Sequence, residues 1–211
     1  MRSAKEYLKL TESAVCHLFD GIDSYLNVLH EATSVVFVTS TPRGPAQDAE
    51  YGAWTVANAE KIATARTAEQ EFIAESFALD TLCGAVLQIA VKAVEIYSVN
   101  RELPPEWAQV VNPRLAKFCI GRKVRTVPIG LIIYAARNQH THFNDEQLRE
   151  PNATVFARLA TSHGYPSREL VADPAFDISN PYLTSYATNV MSLIQWKSYK
   201  QYLNDMQSLL A

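Results

Sequence analysis

The stretch that decides the fold is Phe77–Tyr97, FALDTLCGAVLQIAVKAVEIY, which is apolar on nearly every side of a helix. A helix of this kind is touched from several directions, so the stretch predicts a central helix surrounded by others. Its most apolar part, Leu82–Val94, contains Gln88 and Lys92, and we interpret it as too short to cross a membrane. The remaining sequence is therefore expected to supply the helices that cover it.

Ten prolines and only seven glycines mark where the other helices begin and end, because both residue types interrupt regular structure. The second predicted helical interval is either one helix or two, with a break near Thr67. The predicted intervals are approximately Ser3–Val38, Ala46–Asn100, Pro113–Ile120, Leu131–Asp145, Pro151–Ser162 and Pro181–Leu210.

No alternating pattern of the kind that indicates strands competes with these helices. The end of the first interval, SVVFVTS, is β-branched and is expected to fray or to become a short extended piece. The predicted fold is therefore all-α, an up-and-down bundle of four main helices with short accessory helices. A chain of 211 residues fits one domain, predicted over residues 1–211.

The composition is that of a soluble globular protein, with 48% hydrophobic and 19% charged residues. A net charge of -3 argues against a protein that coats nucleic acid or membrane indiscriminately. Three widely spaced cysteines without a CxxC pair favour free thiols in a reducing compartment. The start, MRSAKEYLKLTESAV, has no apolar core of signal-peptide length. We therefore expect a cytoplasmic protein with no membrane partner.

A second stretch, LIIYAARNQHTHFND at Leu131–Asp145, changes abruptly from apolar to polar residues. Successive residues of a helix are about 100° apart, which divides this one into two sides. The polar side carries Tyr134, Arg137, Asn138, Thr141, His142 and Asp145, and the apolar side carries Ile132, Ile133, Ala136 and Phe143. Thr126 is expected to cap the helix, with Pro128 in its first turn. Asn138 and His142, four residues apart, are expected to be neighbours.

Basic residues are concentrated around this helix. Between Trp107 and Asn144 there is no acidic residue, although the whole chain has more acids than bases. The basic residues in this interval are Arg114, Lys117, Arg122, Lys123, Arg125 and Arg137. Such a local excess of positive charge predicts that an anionic ligand binds this surface.

Arg137, Asn138 and His142, in ARNQHTHF after an apolar helix, resemble the signature of HEPN domains. That signature is an arginine, often followed by asparagine, with a histidine four to six positions beyond. HEPN domains are helical bundles, usually dimeric, and many are metal-independent ribonucleases of toxin–antitoxin and antiviral systems. The resemblance covers this short piece of the chain, and it implies RNA as substrate, a homodimer, no cofactor and a cognate antitoxin protein.

On this interpretation Arg137, Asn138 and His142 are catalytic. RNA carries its own nucleophile, the 2′-hydroxyl, so cleavage needs proton transfer and stabilisation of charge on the phosphate. A histidine exchanges protons at cellular pH, and an arginine binds phosphate oxygens as charge builds on them. Asn138 would orient the histidine or bind the scissile region. The residues expected to bind substrate are Tyr134, Thr141, Arg122, Lys123 and Arg125.

Other interpretations remain open from the sequence. Arg137 and His142 also fit a solvent-facing helix, or a buried polar network that locks the bundle. A second arginine–histidine spacing, Arg158 to His163, lacks the polar residue after the arginine and is interpreted as coincidence. His140 and His142 point about 200° apart on a helix, so no metal site is expected there. The alternative functions are a non-catalytic HEPN-like module that binds RNA or protein, and a helical scaffold protein.

Overall fold

A computed structural model describes residues 3–31, 35–142, 147–161, 172–177 and 185–211, apart from the side chains of residues 28–31 and 72–74. This part of the chain is mostly helical, which confirms the prediction of an all-α protein. Its elements are α1 (Ala4–Glu31), α2 (Pro45–Ala57), α3 (Ala59–Tyr97), α4 (Ile129–Thr141), α5 (Asn152–Ala160), α6 (Ala187–Leu193) and α7 (Tyr199–Leu209), 3-10 helices at Pro105–Trp107 and Pro113–Phe118, and strands β1 (Lys123–Val124) and β2 (Val127–Pro128).

Contacts within the chain divide it into two compact units, residues 1–20 with 80–211 and residues 21–79. The larger unit contains α4 and almost all of the fully buried side chains among the described residues. A single domain over residues 1–211 stays a prediction.

The second half of α3 forms the centre of the larger unit. Its buried side chains follow one another on several faces, as expected of a helix that is apolar nearly all round. They are Cys83, Val86, Leu87, Ala90, Val91, Ala93 and Val94. By length and composition the 23-residue segment Glu75–Tyr97 could cross a membrane, and it is longer than the Leu82–Val94 stretch judged from the sequence. Half of its most apolar window is buried inside the protein, and the core helices of soluble proteins pass the same test of length and composition.

A two-residue hairpin that the sequence did not predict leads into α4. Strands β1 and β2 pair antiparallel, and Arg125 and Thr126 form the turn between them. Both have positive φ, 46° and 70°, as a two-residue turn in a right-twisted hairpin requires. Pro128 immediately precedes α4. The predicted N-cap role of Thr126 and the first-turn position of Pro128 are therefore wrong.

Carbonyl oxygens, rather than a side chain, accept the first backbone N–H groups of α4. Ile129 donates to Arg122 at 2.9 Å, and Gly130 donates to Ile120 at 3.2 Å. A Cβ on Gly130 would lie 2.4 Å from the carbonyl oxygen of Phe118, so the close approach requires glycine. The start of α4 is thus fixed by backbone contact with the segment before it.

Two helix interruptions differ from the predicted ones. The second predicted interval breaks at Asn58, between α2 and α3, and not near Thr67. The predicted last helix is divided into α6 and α7 at Gln195, whose φ of 61° is left-handed and ends a helix. This turn brings the side chain of Trp196 into the core, where it is 2% exposed. Pro181, the predicted start of the last helix, lies outside the described residues.

The smaller unit has few buried side chains. Residues 35–40, after α1, belong to no helix or strand, and whether they are extended stays a prediction. Phe37 packs against Tyr51 of α2, with ring centroids 5.3 Å apart. Its neighbours Val36 and Val38 are 66% and 84% exposed. The smaller unit therefore presents a solvent-exposed apolar strip.

Candidate functional site

α4 has the apolar back that the sequence predicted. Ile132, Ile133 and Ala136 are fully buried, and α4 packs against α5 and α6. Tyr134, Arg137 and Asn138 on the other side are half-buried. Phe143 and Asp145, which were also assigned to the two sides, lie outside the described residues.

A cleft of about 570 Å³ lies beside the C-terminal end of α4. Three of its lining residues, Tyr134, Asn138 and His142, were predicted from the sequence, and Gln139 lines it as well. The other lining residues come from the chain after α4: Gln147, Leu148, Arg149, Glu150 and Asn152. The structure therefore brings the predicted asparagine and histidine to one opening.

Arg137 is engaged by other side chains of the protein and is not among the residues that line the cleft. Its Nε donates to the Oε1 of Gln88 in α3, and its Nη1 donates to the Oδ1 of Asn138 at 2.8 Å. No carboxylate pairs with it in the part of the chain that the structure describes. Among the described residues no ion pair thus offsets the charge of the guanidinium, which holds the amide of Asn138 in one orientation.

His142 follows the last residue of α4. Its backbone N–H donates to the carbonyls of Asn138 at 3.0 Å and Gln139 at 3.2 Å, which ends the helix. The side chain is exposed at the cleft, where solvent and a ligand can reach it. Thr141, in contrast, donates its hydroxyl to the carbonyl of Arg137 at 2.9 Å and does not line the cleft.

Gln139 and His140 lie between the asparagine and the histidine of the motif. They contact the two residues just before α6, Tyr186 and Ser185. The Oε1 of Gln139 accepts the backbone N–H of Tyr186 at 2.9 Å, and the Nδ1 of His140 lies 3.1 Å from the Oγ of Ser185. The His140 ring lies so close to Gly84 of α3 that a Cβ there would be 2.2 Å away. Part of the polar sequence is therefore structural.

The basic residues before α4 are paired with acids from elsewhere in the chain. Arg122 contacts Asp205 at 2.8 Å and Arg125 contacts Asp173 at 2.6 Å. Each of these two guanidinium groups also donates to a backbone carbonyl. Lys123 contacts Glu106 at 3.0 Å, and Arg122, Lys123 and Arg125 do not line the cleft. Their predicted contact with substrate stays a prediction, but their charge is largely neutralised.

Sequence reasoning missed the second wall of the cleft, residues 147–152. A weak signal was present, because Pro151 was interpreted as starting a helix, and a helix that packs back on α4 brings the residues before it to the end of α4. Arg149 is the basic residue of this wall, and it lies beyond the interval in which positive charge was counted.

Among the described side chains, no group of three or more His, Cys, Asp or Glu could hold a metal ion. Burial raises the pKa of the Cys83 thiol to about 12 and that of Cys119 to about 11. Thiols with such pKa values stay protonated near neutral pH and are poor nucleophiles.

Comparison of the chain with family models, with curated proteins and with solved structures finds no match.

Proposed function

We propose that this protein is a metal-independent endoribonuclease of HEPN type. In the proposed reaction the 2′-oxygen of RNA attacks the adjacent phosphorus while the bond to the 5′-oxygen breaks. The products are a 2′,3′-cyclic phosphate and a 5′-hydroxyl. The observation that carries the proposal is that Asn138 and His142 of the RN…H motif line one solvent-open cleft.

The proposed roles follow from the chemistry of each side chain. His142 accepts the proton of the 2′-hydroxyl, which a histidine can do near neutral pH, and a water molecule protonates the departing 5′-oxygen. Asn138 hydrogen-bonds the phosphate region. Arg137, held by Gln88 and Asn138, fixes the amide of Asn138. Tyr134, also in the cleft, contacts the substrate.

The resemblance to HEPN domains carries further proposals. We propose that the helices form a HEPN-like bundle of four main helices and that two copies bring their motifs together as a homodimer. Sedimentation at micromolar concentration should then give twice the mass of one chain. A toxin or antiviral role, a cognate antitoxin protein and a cytoplasmic location belong to the same proposal. The three free cysteines support a reducing compartment.

Cleavage of labelled RNA by the purified protein in EDTA tests the function directly. We expect fragments that end in a 2′,3′-cyclic phosphate and begin with a 5′-hydroxyl, at the same rate with and without the chelator. Loss of cleavage in EDTA, or products with a 5′-phosphate, would contradict the proposed mechanism.

A non-catalytic RNA-binding module is the second candidate. It is favoured by the bonds of Arg137 to two protein amides, because a guanidinium held in this way can serve structure instead of catalysis. Binding of RNA without cleavage under any condition would select this candidate.

A further inference from the structure

One arginine lines the cleft and another lies close to it, and the two are in opposite situations. Arg137 is half-buried and uses two of its N–H groups to hold Gln88 and Asn138. Arg149 is exposed and lines the cleft together with Asn138 and His142. Within the described residues, the Arg149 side chain has no hydrogen-bond or ion-pair partner.

The backbone of Arg149 is fixed even though its side chain is unengaged. Its carbonyl oxygen accepts the N–H groups of Asn152 at 2.9 Å and Ala153 at 3.3 Å, in the first turn of α5. Because α5 packs against α4, this anchors the base of the side chain beside the cleft. A ligand that binds Arg149 therefore has to order only the side chain.

The neighbouring acid, Glu150, forms no ion pair with Arg149. The two carboxylate oxygens of Glu150 accept the backbone N–H of Thr154 at 3.3 Å and its hydroxyl at 3.0 Å. Glu150 is thereby committed to the start of α5. Arg149 is the only lysine or arginine among the described residues that line this cleft.

We propose that Arg149 is the residue that binds a phosphate of the RNA strand in this cleft, and that Arg137 is a positioning residue that acts through Asn138. The proposal rests on the proposed function. A guanidinium presents paired N–H groups that match two phosphate oxygens, and these charge-assisted bonds are stronger than neutral ones. A phosphate held by Arg149 lies in the opening that His142 also lines.

Binding and cleavage are measured separately to test this assignment. Binding uses a fluorescent RNA oligonucleotide with 2′-O-methyl groups throughout, which lacks the nucleophile and cannot be cut. Its dissociation constant is measured by anisotropy at several salt concentrations for wild type, Arg149→Ala, Arg149→Lys and Arg137→Ala. Arg43→Ala is the matched control, because Arg43 is exposed, lies outside the cleft and is not one of the basic residues around α4.

Arg149→Ala should weaken binding about tenfold, and its slope of log affinity against log salt should fall by about 0.7, the value for one phosphate contact on a single strand. Arg149→Lys should keep the slope but bind more weakly than wild type, because an ammonium is not bidentate. Arg137→Ala should keep the wild-type slope and the wild-type KM, and lower kcat. Arg43→Ala should match wild type.

Gln88→Leu tests the positioning role from the other side of Arg137. It removes the α3 anchor without touching the cleft, and should lower kcat with the salt slope unchanged. Folding of every variant is checked by circular dichroism. A wild-type slope in Arg149→Ala, or a reduced slope in Arg137→Ala, would overturn the assignment.

The outcomes also separate this inference from the proposed function. Binding that depends on Arg149, without cleavage of unmodified RNA, would support the phosphate site and overturn the ribonuclease proposal. Cleavage of RNA at the same rate by wild type and Arg149→Ala would support the ribonuclease proposal and overturn the phosphate site. A wild-type protein that neither binds nor cleaves RNA would overturn both.

Discussion

The two ends of α4 are both flanked by basic residues, and the structure uses them differently. Before the helix, Arg122, Lys123 and Arg125 contact Asp205, Glu106 and Asp173 respectively. After the helix, the Arg149 side chain lines the cleft with no described partner. The number of basic residues in a stretch of sequence therefore does not give the positive charge that a ligand can contact. The acids that neutralise the first group lie outside the interval in which the basic residues were counted.

The largest expected effect tests whether the cleft end is catalytic. His142→Ala should reduce RNA cleavage about 100- to 10,000-fold, as for loss of a general acid or base, and leave much of the RNA binding. The measurement is single-turnover cleavage at matched protein concentration. His17→Ala is the control, since the His17 side chain is 80% exposed on α1. Unchanged cleavage by His142→Ala would mean that His142, at the cleft end of α4, is not catalytic.

The next effect concerns how the cleft end is held. Gly84→Ala should lower the free energy of unfolding by about 3 kcal/mol, because the new Cβ would meet the His140 ring at 2.2 Å. Urea denaturation followed by circular dichroism measures this change. Gly52→Ala is a matched control, with nothing within 4 Å of its Cβ in α2, and should be neutral or slightly stabilising. Equal stability of the two variants would show that His140 does not pack on α3 here.

A smaller effect is expected at the hairpin end. Asp205→Ala removes the partner of Arg122 and leaves the Trp196 Nε1, now bonded at 2.8 Å, without an acceptor. Loss of these contacts should cost about 1–2 kcal/mol of the free energy of unfolding. Urea denaturation followed by circular dichroism measures this loss of stability. The affinity of Asp205→Ala for RNA should not fall. A loss of RNA affinity without loss of stability would give the hairpin a direct part in binding.

The smallest effect is expected for Lys123→Ala. The side chains of Lys123 and Glu106 are 57% and 41% exposed, and pairs of this kind contribute less than about 1 kcal/mol. Denaturation and anisotropy should both give values close to wild type. If RNA affinity fell as far as in Arg149→Ala, Lys123 would be a substrate contact as the sequence first suggested.

The parts of the fold that follow from local pattern could be predicted from the sequence. The apolar surface of α3 and the buried back of α4 are periodic, so hydrophobic spacing was enough. The breaks at Asn58 and Gln195 were missed because neither contains glycine or proline. Burial of Trp196, a tertiary effect, accompanies the turn at Gln195.

The candidate site was predicted in part for the same reason. Asn138 and His142 are four residues apart, so local geometry placed them near each other before any fold was known. Gln88 and Arg149 come to the site from 49 and 12 positions away from Arg137, through the packing of α3 and α5 on α4. Spacing along one helix does not predict which residues of other helices will contact it. The role proposed for Arg137 therefore follows from its contacts in the structure.

The segment at residues 35–40 has a practical consequence for work with this protein. It belongs to no helix or strand, and Val36 and Val38 face solvent. A short uncharged run of β-branched residues that is exposed in this way is a source of aggregation, because it can pair with the same run of another molecule. Natural sequences interrupt such runs with charged side chains. Val38→Lys is therefore the substitution that should improve solubility while leaving the aromatic packing of Phe37 intact.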